Sequence, residues 1–228
     1  MKNIIFAIIL LSSLNCYNQK VELFFDVNGG ILTNLPLRKF HNELADDIQF
    51  NGIKTTDNFN YNYGFSVGFK VNSINTSFFF SQKVAGSKSS LADYSGFVSL
   101  TNEIKGSTFG AYYEKEIKKI GKGQLLLGIK GVITFSDLTL SNKNSIITNT
   151  EEVLIFKSTD FGSGLLLSYK TYFNNIFIKP FLGFDAYFGG KLKFEEIPDA
   201  HLTFENGNDV KTGWTGINGG IGIGFILF

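Results

Sequence analysis

Cysteine is nearly absent from this chain: Cys16 stands alone, so no intrachain disulfide can form and pairing says nothing about the redox compartment. Proline is scarce, with 3 in 228 residues, and tryptophan occurs once. A basic excess is missing too. The 21 Lys and Arg face 20 Asp and Glu, which argues against a nucleic-acid binder. Beyond residue 11 no long apolar run remains, so any membrane crossing must be made with something other than a helix.

The one apolar run opens the chain. In "MKNIIFAIILLSSLNCYNQK" Lys2 precedes apolar residues 4–11, and polar residues follow. A basic start with a short apolar stretch is the pattern of a secretory signal peptide, too short to span a bilayer. We expect residues 1–19 to be that signal and residues 20–228 to form one domain. No small-residue cleavage motif precedes Gln19. Cys16 offers lipidation as the alternative, but Asn15 is bulky where a lipidation site carries a small residue.

Phenylalanine and glycine are plentiful, 25 of each, and aromatics reach 15%. Their placement has period two. In "YNYGFSVGFKV" the odd positions Tyr61, Tyr63, Phe65, Val67, Phe69 and Val71 are large and apolar or aromatic. The even positions are small or polar. The pattern predicts β-strands at residues 21–33, 61–71, 76–82, 107–117, 124–135, 160–171, 176–188 and 215–228. Phe24, Phe177 and Phe181 break the alternation.

Short connections at residues 72–75, 118–123 and 173–175 alternate with long ones at roughly 34–60, 83–106, 136–159 and 189–211. Eight antiparallel strands then place all short turns, and both termini, at one end. Three β-like pieces in the long connections, "SGFVSL", "EEVLIF" and "KLKFEEI", read as strand extensions or loop hairpins.

Which face is inside decides the protein class. A soluble barrel buries its apolar face, whereas a transmembrane barrel turns it to lipid. Here the polar faces are mostly Gly, Ser and Asn, with only Lys70, Glu114, Lys130, Lys170, Lys179 and Asp185 as charges. That is too few for a water-exposed surface and suits a crowded lumen. Tyr61, Tyr63, Tyr112, Tyr113, Tyr169, Tyr172, Tyr187 and Phe188 lie toward strand ends, where girdles form. Phe65, Leu127, Leu167 and Ile221 should therefore face outward.

The chain closes on "GIGFILF", with Phe228 last. Together with the signal, the eight strands and the alternating connections, this resembles the small bacterial outer-membrane β-barrel proteins, the porin-like OmpA/OmpX-type barrels. The resemblance implies an eight-stranded antiparallel up-and-down transmembrane β-barrel with short periplasmic turns and long extracellular loops. It implies an outer-membrane location, with outer-membrane lipid and the barrel assembly machinery as partners and Phe228 as the assembly signal. An extracellular ligand or partner stays unidentified. Phe228 departs from the family pattern: it lies in the opposite phase from Ile217, Ile221, Ile223 and Phe225, and a bulge in the final strand would reconcile them.

Eight strands leave an interior just wide enough for side chains to fill. The six charges should meet there, Glu114 and Asp185 pairing with lysines, as a plug rather than a pore. Enzymatic chemistry has little to stand on. The two histidines, His41 and His201, fall in long connections. Glu195, Glu196, Asp199, His201, Glu205 and Asp209 match no calcium-loop spacing. We expect no metal and no cofactor. The reading is a non-enzymatic outer-membrane barrel with a structural or surface-interaction role. The alternatives are a secreted soluble barrel binding a small apolar ligand and a narrow outer-membrane channel.

Overall fold

A computed structural model describes residues 20–33, 35–47, 53–94, 96–145, 150–197 and 199–227. The proposed signal peptide with Cys16, and Phe228, lie outside these. The elements are β1 (Val21–Leu32), α1 (Leu35–Asp47), β2 (Lys54–Thr56), β3 (Tyr61–Val71), β4 (Thr76–Asp93), β5 (Gly96–Ile120), β6 (Gly123–Asn144), β7 (Thr150–Phe173), β8 (Ile176–Gly189), β9 (Lys193–Phe194) and β10 (Gly216–Ile226). Eight of the ten strands close a ring in the order β1-β3-β4-β5-β6-β7-β8-β10, all antiparallel, and β10 pairs back onto β1. The short β2 and β9 attach to β4 and β7 at the long-connection end. Closure leaves no free sheet edge within the ring, the condition for a sheet in hydrocarbon.

The apolar face points outward. Phe65, Leu127, Leu167 and Ile221 are 41%, 47%, 43% and 56% exposed, while Ser66, Ser81, Thr108 and Thr134 on the opposite face are buried. A belt of exposed Leu, Ile, Val and Phe on every ring strand is the surface of a barrel solvated by lipid. This disposition removes the soluble apolar-ligand barrel as a reading, because the large side chains that would line its pocket face away from the centre.

Above the belt the polarity reverses within single strands. On β5 the outward residues run Tyr113, Ala111, Phe109 and then Ser107, Lys105, Glu103, Thr101. The inward ones run Glu114, Tyr112, Thr108 and then Ile104, Asn102, Leu100, Val98, all buried. On β6 outward Ile133 and Phe135 give way to Asp137 and Thr139, and inward Thr134 and Ser136 to Leu138 and Leu140. The outer half is therefore built as a water-soluble protein is, with the apolar side in. Its core gathers Leu32, Leu37, Phe40, Phe59, Ala85, Ile104, Leu138, Leu140, Phe156, Leu192, Val210 and Trp214.

Several expectations need correction. Segments 83–106 and 136–159 are mostly not loops: β4 stays paired with β5 as far as Asp93 and Gly96, and β6 with β7 as far as Asn144 and Thr150. The reading of "SGFVSL" and "EEVLIF" as strand extensions holds for residues 96–100 and 151–156, the outer ends of β5 and β7, whereas "KLKFEEI" contributes only β9. Segment 34–60 contains a helix that the strand pattern did not foretell. Leu37, Phe40, His41 and Leu44 share one face of α1 at i, i+3, i+4, i+7 spacing, and that face packs into the outer core. Pro36 sits in its first turn, where a missing N–H is harmless. No register shift interrupts β10 against β1 from Gly216 to Ile226, so the bulge offered to reconcile the phases is absent from the described part of the final strand, and Phe228 itself lies outside the described residues.

The aromatic girdle is only part of what the strand ends suggested. Tyr61, Tyr63, Tyr113 and Phe188 face outward, and Tyr169 shares the outward phase of β7 with Leu165 and Leu167, its hydroxyl bonded to the Ile120 carbonyl at the surface. Tyr112 is buried inside, and Tyr172 and Tyr187 pack against interior clusters. Phe24, Phe177 and Phe181 do not break the alternation; they are lumen residues, held in an aromatic cluster with Tyr112, Leu166, Phe79 and Tyr172 near the short-turn end. The short turns use left-handed backbone at Asn75 (φ 52°), Asn174 (φ 56°) and Gly121 (φ 59°).

Candidate functional site

Charges and aromatic rings are interleaved in the lumen. Each charge comes from an inward position: Glu22 and Asp26 of β1, Lys70 of β3, Lys83 of β4, Glu114 of β5, Lys130 of β6, Lys170 of β7, and Lys179 and Asp185 of β8. Glycines opposite them leave the room. A Cβ on Gly164 would overlap the Asp185 carboxylate, one on Gly222 that of Asp26, and one on Gly224 the Phe177 ring. The glycine richness of these strands is the imprint of large side chains facing across a narrow space.

Three carboxylates organise five lysines. Lys130 Nζ lies 2.8 Å from Asp185 Oδ2 and Lys83 Nζ 3.8 Å from the same atom. Asn218 Nδ2 donates to that oxygen at 2.7 Å. Glu114 stands between Lys179 at 3.6 Å and Lys70 at 4.0 Å, and accepts from Ser168 Oγ at 2.7 Å. Lys170 pairs with Glu22. The aromatic rings share the load: Lys170 Nζ sits 3.9 Å from the Phe177 ring centre, and Lys179 Nζ donates to Tyr112 Oη at 2.8 Å. Of the six charges expected in the lumen, all are inward and all touch an opposite charge. The structure splits them among three carboxylate centres rather than one cluster.

Sequence reasoning missed Glu22, Asp26 and Lys83. The first two share the inward phase of β1, so the alternation itself marked them. Lys83 was assigned to a loop because β4 was cut short at residue 82. Asp26 has no ion pair within 4.0 Å among the described residues, and its Oδ1 has no protein hydrogen-bond partner. It lines a lumen cavity of about 50 Å³ together with Lys83, Lys130, Lys179, Tyr187 and Asn218. Such a space admits a few waters at most.

The outer layer contains His41, which is wholly buried on α1. Its Nε2 lies 2.8 Å from Ser89 Oγ, and its Nδ1 lies 2.8 Å from Asn102 Nδ2. An amide donating to Nδ1 makes that nitrogen the acceptor and Nε2–H the donor, so the ring is neutral. Burial without a counter-ion holds the His41 pKa down, to about 4. A serine, a histidine and an amide in line have the order of a nucleophile, base and orienting group. Ser89 is itself buried, however, and Thr55 Oγ1 occupies its other side at 2.7 Å, so no substrate carbonyl can reach it. The cluster is a polar latch that ties α1 to β4, β5 and β2. His201 is exposed, its Nε2 2.9 Å from Asp209, which also pairs with Lys191 at 2.7 Å. Trp214 Nε1 donates to Ser136 Oγ at 2.9 Å and, with Thr212 bonded to Asp160, fixes the last long connection to the wall.

No protein-family model and no curated protein matches the chain. Solved structures do. A major outer membrane protein from Thermus thermophilus aligns over 91% of this chain and 99% of its own, with a TM-score of 0.50 and 9% identity. Neisserial surface protein A aligns over 91% and 97%, with a TM-score of 0.39 and 11% identity. At this identity the Thermus likeness concerns the fold alone, and the fold is that of an outer-membrane β-barrel.

Proposed function

We propose that the chain is an integral bacterial outer-membrane protein that is closed to solutes and serves a structural or surface-interaction role rather than a catalytic one. The observation that supports this most is the continuous filling of the interior. Toward the short-turn end aromatic rings and charged groups alternate along the strands, as Glu22, Phe24 and Asp26 do on β1 and Phe177, Lys179 and Phe181 on β8, and beyond them lies the apolar outer core against α1. An eight-stranded lumen is just wide enough for side chains to fill. The outer half also supports an interaction role. Two paired hairpins, a helix and a pinned connection share one core, and this gives a partner a fixed surface where loose loops would not.

The test has two arms. Purified protein refolded into lipid should stay with vesicles through carbonate washing and migrate faster on gels when unboiled. In planar bilayers it should give no conductance steps. Regular steps in the folded protein would replace this reading by the narrow channel.

A further inference from the structure

We propose that the β5–β6 turn is a binding site for anionic phospholipid headgroups of the periplasmic leaflet. The inference rests on the membrane-barrel reading and adds a ligand to it. The turn "EKEIKKIGKG" carries Lys115, Lys118, Lys119 and Lys122, all exposed, against the single exposed acid Glu116. The other two short turns, at residues 72–75 and 174–175, carry no charge at all. Apart from Lys20, which precedes β1, exposed charge at this end of the barrel is concentrated in this turn.

Two observations point to a ligand there. The first is grouping. At the outer end Lys39, Lys105, Lys143, Lys157 and Lys191 each have a carboxylate within 3.5 Å, while Lys54, Lys88, Lys193 and Lys211 have none among the described residues and stand apart from one another in the sequence. The four turn lysines stand together within residues 115–122, and among the described residues none of them has a carboxylate partner. The second is position. β4 begins at Thr76 opposite Tyr113, so β5 continues to Ile120 with no strand on that side. Lys115 pairs in register with Leu127, and Lys118 with Leu125 after the register shift at Glu116/Lys118. Leu127 belongs to the exposed belt, and Ile117 and Ile120 are exposed beside the lysines.

The lysines therefore stand at the lower rim of the lipid-facing surface, with apolar side chains among them. A purely aqueous partner would gain nothing from Ile117 and Ile120. A headgroup layer satisfies both: the isoleucines enter the acyl boundary while the ammonium groups reach phosphate. A lysine close to an anionic surface gains roughly a fivefold preference.

The experiment uses the full barrel in phosphatidylcholine vesicles, with spin-labelled phosphatidylglycerol and spin-labelled phosphatidylcholine as probes. The motionally restricted fraction should favour phosphatidylglycerol by at least about fivefold at low salt. The preference should fall toward one when Lys115, Lys118, Lys119 and Lys122 are all replaced by Gln. Replacing the outer lysines Lys105, Lys143 and Lys157 by Gln should leave it unchanged. Equal restriction of both lipids, or a preference that survives the fourfold change, overturns the proposal while the barrel stands. Tight binding of soluble acidic muropeptides without lipid preference overturns it in favour of a cell-wall ligand. No restricted lipid of either kind would instead refute the membrane barrel itself.

Discussion

Lys83 and Lys130, on β4 and β6, converge on one oxygen of Asp185, at 3.8 Å and 2.8 Å. One carboxylate thus neutralises two buried ammonium groups from strands that are not paired with each other. Asp185→Ala should leave both lysines without their anion, and removing one partner of a buried pair costs about 3–5 kcal/mol. The unfolding midpoint of the unboiled gel species should drop clearly. An unchanged midpoint would show that the pair contributes nothing to the folded state.

Glu114→Ala removes the anion shared by Lys70 and Lys179, and should also lower thermal stability. It should not create conductance in planar bilayers, because the interleaved aromatic rings and the outer core stay in place. A large new conductance would mean that the lumen charges alone keep the lumen shut.

Outward positions give the opposite kind of prediction. Ile129 lies midway along the exposed face of β6 and is 61% exposed. In a water-soluble protein Ile129→Arg would change stability by no more than about 0.5 kcal/mol. In lipid near the midplane it should cost about 2–4 kcal/mol. Urea titration of protein folded into lipid vesicles separates the two.

Gly68 reports on packing inside. Glycine in a strand is normally a liability, so Gly→Ala would ordinarily stabilise. Here a Cβ would press on the Phe78 carbonyl oxygen, the Phe24 ring and Phe79. Gly68→Ala should destabilise by about 1–3 kcal/mol, the usual cost of overpacking. Adding Phe24→Leu should recover part of the loss.

The His41 latch makes α1 docking depend on pH. Burial depresses its pKa to about 4 when docked, whereas a solvated histidine takes its proton near 6.5. The released state binds more protons between those values. The latch is therefore at full strength above about pH 6.5 and weakens as pH falls toward 4, by an amount on the order of 3 kcal/mol. Protease cleavage within α1 should rise over that interval. His41→Gln should flatten the profile, and an unaltered slope in that variant would place the titrating group elsewhere.

Much of the barrel was legible because period-two alternation survives wherever one face meets lipid. β3 falls where the pattern put it, Tyr61–Val71. The tall hairpins were not legible as strands for a physical reason. Their outer halves keep the period but exchange the polarity of the faces, so a search for one greasy side stops near Ser107 and Phe135. The lumen charges were found where they sat in recognised strands and missed where a strand had been cut short, as with Lys83. α1 carried a readable signal in Leu37, Phe40, His41 and Leu44, but it was hidden in a segment taken for loop. The Ser89–His41–Asn102 latch joins residues 48 and 61 positions apart, a proximity that only the closed ring creates.

The exchange of polarity within β5 and β6, and on the inward face of β7 from Asp160 and Ser158 to Phe156 and Leu154, also works as a waterline. Because the hydrocarbon zone ends inside continuous strands rather than at a turn, the protein has no slack with which to ride higher or lower. Sinking by two residues would drag Lys105, Asp137 and Lys157 into oil, and rising by two would lift Phe109, Ile133 and Phe161 into water. The barrel should accept only a narrow range of bilayer thickness, and should fold fastest where the acyl chains match the height written into those three strands.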